Sequence, residues 1–167
     1  MEMRIVVISD THIPFRAKSL PKIIYDEIEK SDLIIHAGDF VSFEFYNELK
    51  SLKNIIAVFG NMDEMKLLDY LKEVEIFEIE GFKFGLFHGL GPPVGLKQRV
   101  LKKLENYGKF DVIIFGHSHI AYYNYENGIH ILNPGSPTDK FFGHKRTYGI
   151  IEIKNKNISF EIREVIE

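Results

Sequence analysis

The sequence predicts an α/β fold, two mixed β-sheets sandwiched between helices, in one domain spanning residues 1–167. Two observations carry this. The first half alternates short apolar runs with amphipathic segments, and the second half is rich in strand-like runs joined by hairpin turns. A third sets the scale: 167 residues at 45% hydrophobic content supply enough apolar surface for one continuous core.

Taken in order, "RIVVIS" is a continuous apolar run expected as a buried strand, and "SLPKIIYDEIEK" has helical spacing after a Ser-x-Pro start. "DLIIHA" is a strand, "SFEFYNELKSL" a helix and "NIIAVFG" a strand, so the first half reads βαβαβ with a mostly parallel sheet. "EIFEIEGFKFGLFHG" reads as a hairpin around Glu80-Gly81, "GLKQRVLKKLENYG" as a helix and "DVIIFG" as another strand. Two further hairpins are expected, one through Glu126-Asn127-Gly128 and one around Lys154 to Asn157.

Composition excludes several classes. The chain has no cysteine, so disulfides and thiolate metal sites are out, and any metal must be held by nitrogen and oxygen. A net charge of -3, with Lys and Arg scattered among acids, gives no footprint for long DNA or RNA. No run reaches membrane-span length, and the N-terminal apolar stretch is too short for a signal peptide, so a cytoplasmic protein with no membrane partner is expected. Whether it forms a homo-oligomer is left open by the sequence.

The polar residues share one position, just past the carboxyl end of an expected strand. Asp10 and His12 follow "RIVVIS", Asp39 follows "DLIIHA", Asn61 follows "NIIAVFG", His88 ends "KFGLF", and His117 and His119 follow "DVIIFG". In open α/β sheets the ligand crevice lies outside those ends, so five segments deliver carboxylate, amide and imidazole to one edge. Singly, each has a plainer reading. His117 and His119 would be solvent-facing loop residues, Asp10 and Asp39 helix caps, and Asn61 beside Gly60 an ordinary turn. Those readings must be invoked separately for every segment.

In order, "SDTH", "HAGD", "FGNMD", "FHG", "FGHSH" and "NPGSP" resemble the calcineurin-like metallophosphoesterases, in particular the small one-domain phosphodiesterases of bacteria and archaea. The resemblance covers essentially the whole chain. It implies a phosphodiesterase in which a hydroxide bridging two divalent ions hydrolyses a small phosphodiester or nucleotide-like substrate. It also implies that Asp39 bridges the ions, that Asp10, His12 and His119 serve one, and that Asn61, His88 and His117 serve the other. Asn61 and His88 are the expected catalytic contacts to the phosphoryl oxygens. Mn, Fe, Ni, Co and Zn all suit such ligands, with Mn favoured by the resemblance. The alternatives are a phosphomonoesterase, a nucleotide pyrophosphohydrolase, or a non-catalytic protein-interaction scaffold of the same fold.

His36 is a candidate to orient a ligand, or a satisfied core histidine. Asp63 is a candidate to orient His88 or another ligand, or, as the stronger reading, a cap for "DEMKLLDYL". His130 and His144 match no ligand position. "NPGS", Asn133 to Ser136, reads as a turn holding the second sheet against the site; Arg16 could touch an anionic substrate from the loop after His12, but a solvated surface charge is the expected state. Most of the aromatic rings of "FVSFEFY" and "AYYNYENG" are expected in the core, with Phe40 or Tyr122 the candidates to line the pocket. Met62 departs from the family pattern, in which a histidine often follows the asparagine and protonates the leaving oxygen; a thioether cannot.

Overall fold

Alternation along the first strand decides the layering. In β1 (Glu2–Ile8), Ile5 and Val7 point to one side of the sheet and Val6 and Ile8 to the other, and all four are fully buried. A strand buried on both faces needs a cover on each, which this fold supplies with a second sheet and a pair of helices. In the computed structural model, which describes residues 2–141 and 145–166, the chain continues through α1 (Lys22–Lys30), β2 (Leu33–His36), α2 (Phe43–Leu52), β3 (Ile55–Ala57), β4 (Val74–Ile79), β5 (Phe82–Phe87) and α3 (Leu96–Leu104). It then runs through β6 (Val112–Ile114), β7 (Tyr122–Glu126), β8 (Ile129–Asn133), β9 (Thr147–Lys154) and β10 (Asn157–Glu164).

The strands form two five-stranded sheets, ordered β10-β9-β1-β2-β3 and β4-β5-β6-β8-β7. β1, β2 and β3 are parallel, as are β5, β6 and β8, while the hairpin strands are antiparallel, so both sheets are mixed. All three expected hairpins form. Ile5, Val7 and Ile35 of the first sheet pack with Phe84, Leu86, Val112, Ile114 and Leu132 of the second in the inter-sheet core. On its other face the first sheet carries α1 and α2 through Ile24, Ile28, Phe45, Tyr46 and Leu49. The second sheet carries α3 through Leu96, Val100 and Leu104 against Phe87, Ile113 and Ile131.

Two local expectations are refined. Ser42 caps α2 by accepting from Phe45 N, but α1 begins behind Pro21 with no side-chain cap, so Ser19 does not serve. "MKLLD" makes a short 3₁₀ turn, Met65–Asp69, rather than an α-helix. Among the described residues no helix is long and apolar enough to cross a membrane.

The topology has one consequence for function. Because the parallel strands of both sheets run the same way within their sheet, each group of carboxyl ends gathers at one edge, and the loops there are laced together. Asp10 N donates to Gly38 O and His12 N to Asp39 O, tying the loop after β1 to the loop after β2. Gly116 N donates to His88 O, tying the loop after β6 to the loop after β5.

Candidate metal centre

Five of the predicted site residues occupy left-handed backbone: Asp10 (φ 55°), His12 (47°), Asp39 (64°), His117 (75°) and His119 (64°). Such a conformation is uncommon for residues with a Cβ and costs on the order of 1 kcal/mol, so a concentration of it needs a reason. Here the reason is direction: each loop turns sharply at the strand end and throws its side chain back toward the same point. Room for this comes from glycine. A Cβ on Gly60 would collide with the Asp39 carboxylate, and one on Gly116 with Ser9 and Asp10.

Two buried carboxylates lie at the middle. Asp10 Oδ2 accepts from Ser9 Oγ at 2.6 Å and from His117 N at 2.9 Å. Its Oδ1 faces His119 Nε2 at 3.5 Å, His88 Nε2 at 3.8 Å and His12 Nε2 at 3.9 Å, and has no hydrogen-bond partner. Asp39 Oδ1 accepts from Met62 N at 2.8 Å, while Oδ2 lies 3.2 Å from His88 Nε2 and 3.5 Å from His12 Nε2. Asn61 Oδ1 is 3.1 Å from His88 Nε2, and His117 Nδ1 is 3.2 Å from the same nitrogen. Asp10, His12 and His119 form one group able to hold a cation, and Asp10, Asp39 and His88 another.

The outer nitrogens decide which way the lone pairs point. His88 Nδ1 lies 2.7 Å from Ala37 O and His117 Nε2 lies 2.8 Å from Gly91 O. A carbonyl only accepts, so each ring must carry a proton on that outer nitrogen. His119 Nδ1 is 2.6 Å from the Asp139 carboxylate, which imposes the same tautomer. The inward nitrogens of neutral His88 and His117 are therefore lone pairs facing each other at 3.2 Å, an arrangement that is repulsive unless a cation lies between them. Among the described residues His12 Nε2 and Asp10 Oδ1 are buried with no hydrogen-bond partner, a cost of about 1–3 kcal/mol per group. Nitrogen and carboxylate donors with unspent lone pairs, focused on one point, fit borderline divalent metal ions.

In the metal-free protein a proton supplies that charge. Burial lowers the pKa of His88, but the adjacent Asp10 and Asp39 carboxylates outweigh it and push the imidazole up to about 9. His119 is also raised, with Asp10 and Asp139 overcoming burial. His12 goes the other way, lowered because desolvation exceeds its attraction to Asp39 and Asp10. Burial would raise Asp10, but His88, His119 and the Ser9 hydroxyl hold it well below the usual carboxylate range.

The calcineurin-like phosphoesterase superfamily model matches residues 3–156, which include every one of these donors. The chain belongs to that superfamily. It is 45% identical over 139 residues, 81% of this chain and 69% of the relative, to a probable metallophosphoesterase of Methanocaldococcus jannaschii (MJ0623). It is 33% identical to that organism's phosphodiesterase MJ0936, covering 98% of this chain and 99% of the relative. The solution structure of Thermotoga maritima protein TM1076 superposes with a TM-score of 0.77 at 32% identity over 98% of this chain and 99% of that one.

The surrounding residues of this phosphoesterase revise several expectations. His36 stacks on Phe40 at 3.5 Å, accepts from Gly38 N at Nδ1 and pairs with Thr11 Oγ1 at Nε2, so it is a satisfied core histidine that braces the two loops carrying Asp10, His12 and Asp39. Burial lowers it to about 3, which keeps it neutral. Asp63 does not cap the turn that follows it, and the candidate ligand it holds is Asp39 rather than His88. Its carboxylate accepts from Asp39 N, Val41 N and Gly60 N at 3.0, 2.7 and 2.7 Å, gripping the backbone of Asp39. Phe40 is wholly buried in the core, whereas Tyr122 does line a cavity, together with Lys97, Ser118, Ile120 and Asn133, its hydroxyl accepting from Lys97 Nζ at 3.3 Å. Arg16 is not a free surface charge but pairs with Asp139 at 3.1 Å. Met62, where the family pattern often has histidine, is 53% exposed. His130 pairs with Tyr123 and stacks on Phe160, a structural role, and His144 lies outside the described residues. The "NPGS" turn does join sheet to site, with Ser136 Oγ donating to Asp10 O at 2.8 Å.

Three contributors went unread in the sequence: Ser9, Asp139 and Arg99. Arg99 Nε donates to Leu90 O at 2.8 Å and Nη1 to Val94 O at 3.0 Å, with Pro92 O a third acceptor. This holds the loop whose Gly91 carbonyl accepts from His117. A Ser before the Asp and an Asp three after "NPGS" were visible signals; nothing local marks Arg99.

Proposed function

We propose that the chain is a phosphodiesterase with two divalent ions, held by Asp10, His12, Asp39, Asn61, His88, His117 and His119. When bound, the ions supply Lewis acidity toward the phosphoryl group and a nucleophile drawn from water near neutral pH. The observation that carries the reading is the convergence of inward lone pairs from three imidazoles whose outer nitrogens are committed to fixed acceptors. Asp39 is assigned the shared position because its Oδ2 lies 3.5 Å from His12 Nε2 and 3.2 Å from His88 Nε2, shorter than the 3.9 and 3.8 Å that Asp10 Oδ1 keeps to the same rings.

Each of these residues has a task. Asp10 and Asp39 provide two negative charges against which metal cations bind, leaving the pocket net cationic and attractive to a phosphate ester. Asn61 is exposed, and with its oxygen turned toward His88 its amide NH2 is free to donate to a phosphoryl oxygen. A singly charged diester suits a site with no proton donor at Met62. The full-length similarity to a protein called a phosphodiesterase supports the same choice.

The test is to strip the protein with chelator, restore Mn2+, Fe2+, Ni2+, Co2+ or Zn2+ singly, and present aryl diesters, aryl monoesters, cyclic nucleotides, dinucleotides and nucleoside triphosphates. Metal-dependent turnover highest on diesters is the expected result. Preference for monoesters or triphosphates would assign a phosphomonoesterase or pyrophosphohydrolase, and tight metal binding without hydrolysis would assign a scaffold.

A further inference from the structure

Of the three imidazoles whose outer nitrogen is anchored, two are held by backbone carbonyls, which no substitution can remove. The third, His119, is held by a side chain. Asp139 is 1% exposed, and its Oδ2 lies 2.6 Å from His119 Nδ1. Its Oδ1 is occupied separately, accepting from Phe141 N at 2.8 Å and from Arg16 Nη1 at 3.1 Å. Arg16 in turn sits over the Phe141 ring at 5.6 Å. The backbone is fixed too: Asp139 N donates to Ser136 Oγ at 3.1 Å, the same hydroxyl that donates to Asp10 O, and Thr138 Oγ1 donates to Thr11 O at 2.7 Å. Asp139 is thus built into the loop that carries Asp10 and His12.

We propose that Asp139 is a positioning residue for the metal centre: its carboxylate fixes His119 as the Nδ1–H tautomer with the Nε2 lone pair turned toward Asp10, and Arg16 fixes the carboxylate. The inference rests on the metal-centre reading and gives it an asymmetry. A carboxylate partner makes an imidazole a stronger donor than a carbonyl partner does, so the group Asp10, His12 and His119 holds its ion through a histidine strengthened in a way His117 and His88 are not. Oδ1 and Oδ2 face different donors, and that makes the arrangement sensitive to one atom. Arg16 and Phe141 N can only donate, so an Asn at this position keeps its oxygen toward them and turns its NH2 to His119. Facing a donor, Nδ1 must become the acceptor. The proton then moves to Nε2, the nitrogen that should ligate.

Asp139→Asn is close to isosteric and keeps two of the three hydrogen bonds, so it should fold. In metal-free, 15N-histidine-labelled protein at a pH where His119 is neutral, long-range proton–nitrogen spectra should show His119 as Nδ1–H in the wild type and as Nε2–H in Asp139→Asn. By equilibrium dialysis with Zn2+ or Mn2+, the variant should lose about 10–100-fold in affinity for one ion and keep the other, the size expected for removing such a partner. Arg16→Ala, which loosens the carboxylate without removing it, should show a smaller loss and keep the Nδ1–H tautomer. Unchanged tautomer and unchanged affinity in Asp139→Asn would overturn the proposal even if its thermal stability fell. Because neither readout involves turnover, the proposal can fail while the phosphodiesterase reading stands, and the reverse.

Discussion

Metal uptake should expel a proton from His88, and the geometry sets how many and over what pH range. In the metal-free protein that imidazole is pushed up to about 9, with Asp10 and Asp39 outweighing burial. At pH 7.5 it is protonated over neutral by about 30 to 1, from the gap of about 1.5 pH units. A metal ion must displace this proton because both require Nε2, the only inward nitrogen of a ring whose Nδ1 is committed to Ala37 O. Apparent affinity should therefore rise about tenfold per pH unit from 6.5 to 8.5 and flatten near 9, with any His119 proton adding to the slope. The metal-free fold should respond in the opposite sense. A histidine raised above its unfolded value stabilises fully below about pH 6.5 and loses that contribution as pH rises through about 9, so the melting temperature of the stripped protein should fall across that window. The assay is titration calorimetry with Mn2+ in buffers of different ionisation enthalpy, which counts released protons directly. Release of at least one proton per chain at pH 7.5 is expected. No release, or an affinity flat between pH 6.5 and 8.5, would refute the assignment of inward charge to His88.

Other perturbations separate the parts of the site. Asp39→Ala should abolish metal-dependent turnover and reduce bound metal, measured by elemental analysis after dialysis, whereas His130→Ala, on the far hairpin, should do neither. Asp63→Ala strands three backbone N–H groups that its carboxylate satisfies, and should cost about 3 kcal/mol or more in urea denaturation of the metal-free protein, at about 1–3 kcal/mol per unsatisfied group. Arg99→Ala frees the loop carbonyls of Leu90, Pro92 and Val94 and should weaken metal binding by loosening Gly91 O, the anchor of His117; dialysis with Mn2+ would show it. Met62→His should raise turnover on alkyl diesters more than on aryl diesters, because it restores a proton donor to an exposed position. A steeper dependence of rate on leaving-group pKa in that variant would show that another acid already serves.

The strands, the three hairpins and the donors were legible because each leaves a local mark. The continuous apolar run in "RIVVIS" marks a strand buried on both faces, "YENG" marks a tight turn, and a polar residue just past an apolar run marks a strand end facing a crevice. Tertiary structure decided what those marks could not carry. Asp63 read as a local cap because caps are sequence-local, yet besides nearby Gly60 its partners are Asp39 and Val41, brought to it by the pairing of β2 with β3. Arg16 read as solvated because its partner Asp139 is 123 residues away, and spacing left Phe40 between core and pocket wall because stacking on His36 leaves no trace in it. Above all, the tautomers of His88, His117 and His119 depend on a carbonyl of Ala37, a carbonyl of Gly91 and a carboxylate of Asp139. A sequence names which residues can bind a cation. Which nitrogen of each ring is free to do so is set by acceptors on other segments, and only the folded chain brings those into hydrogen-bonding distance.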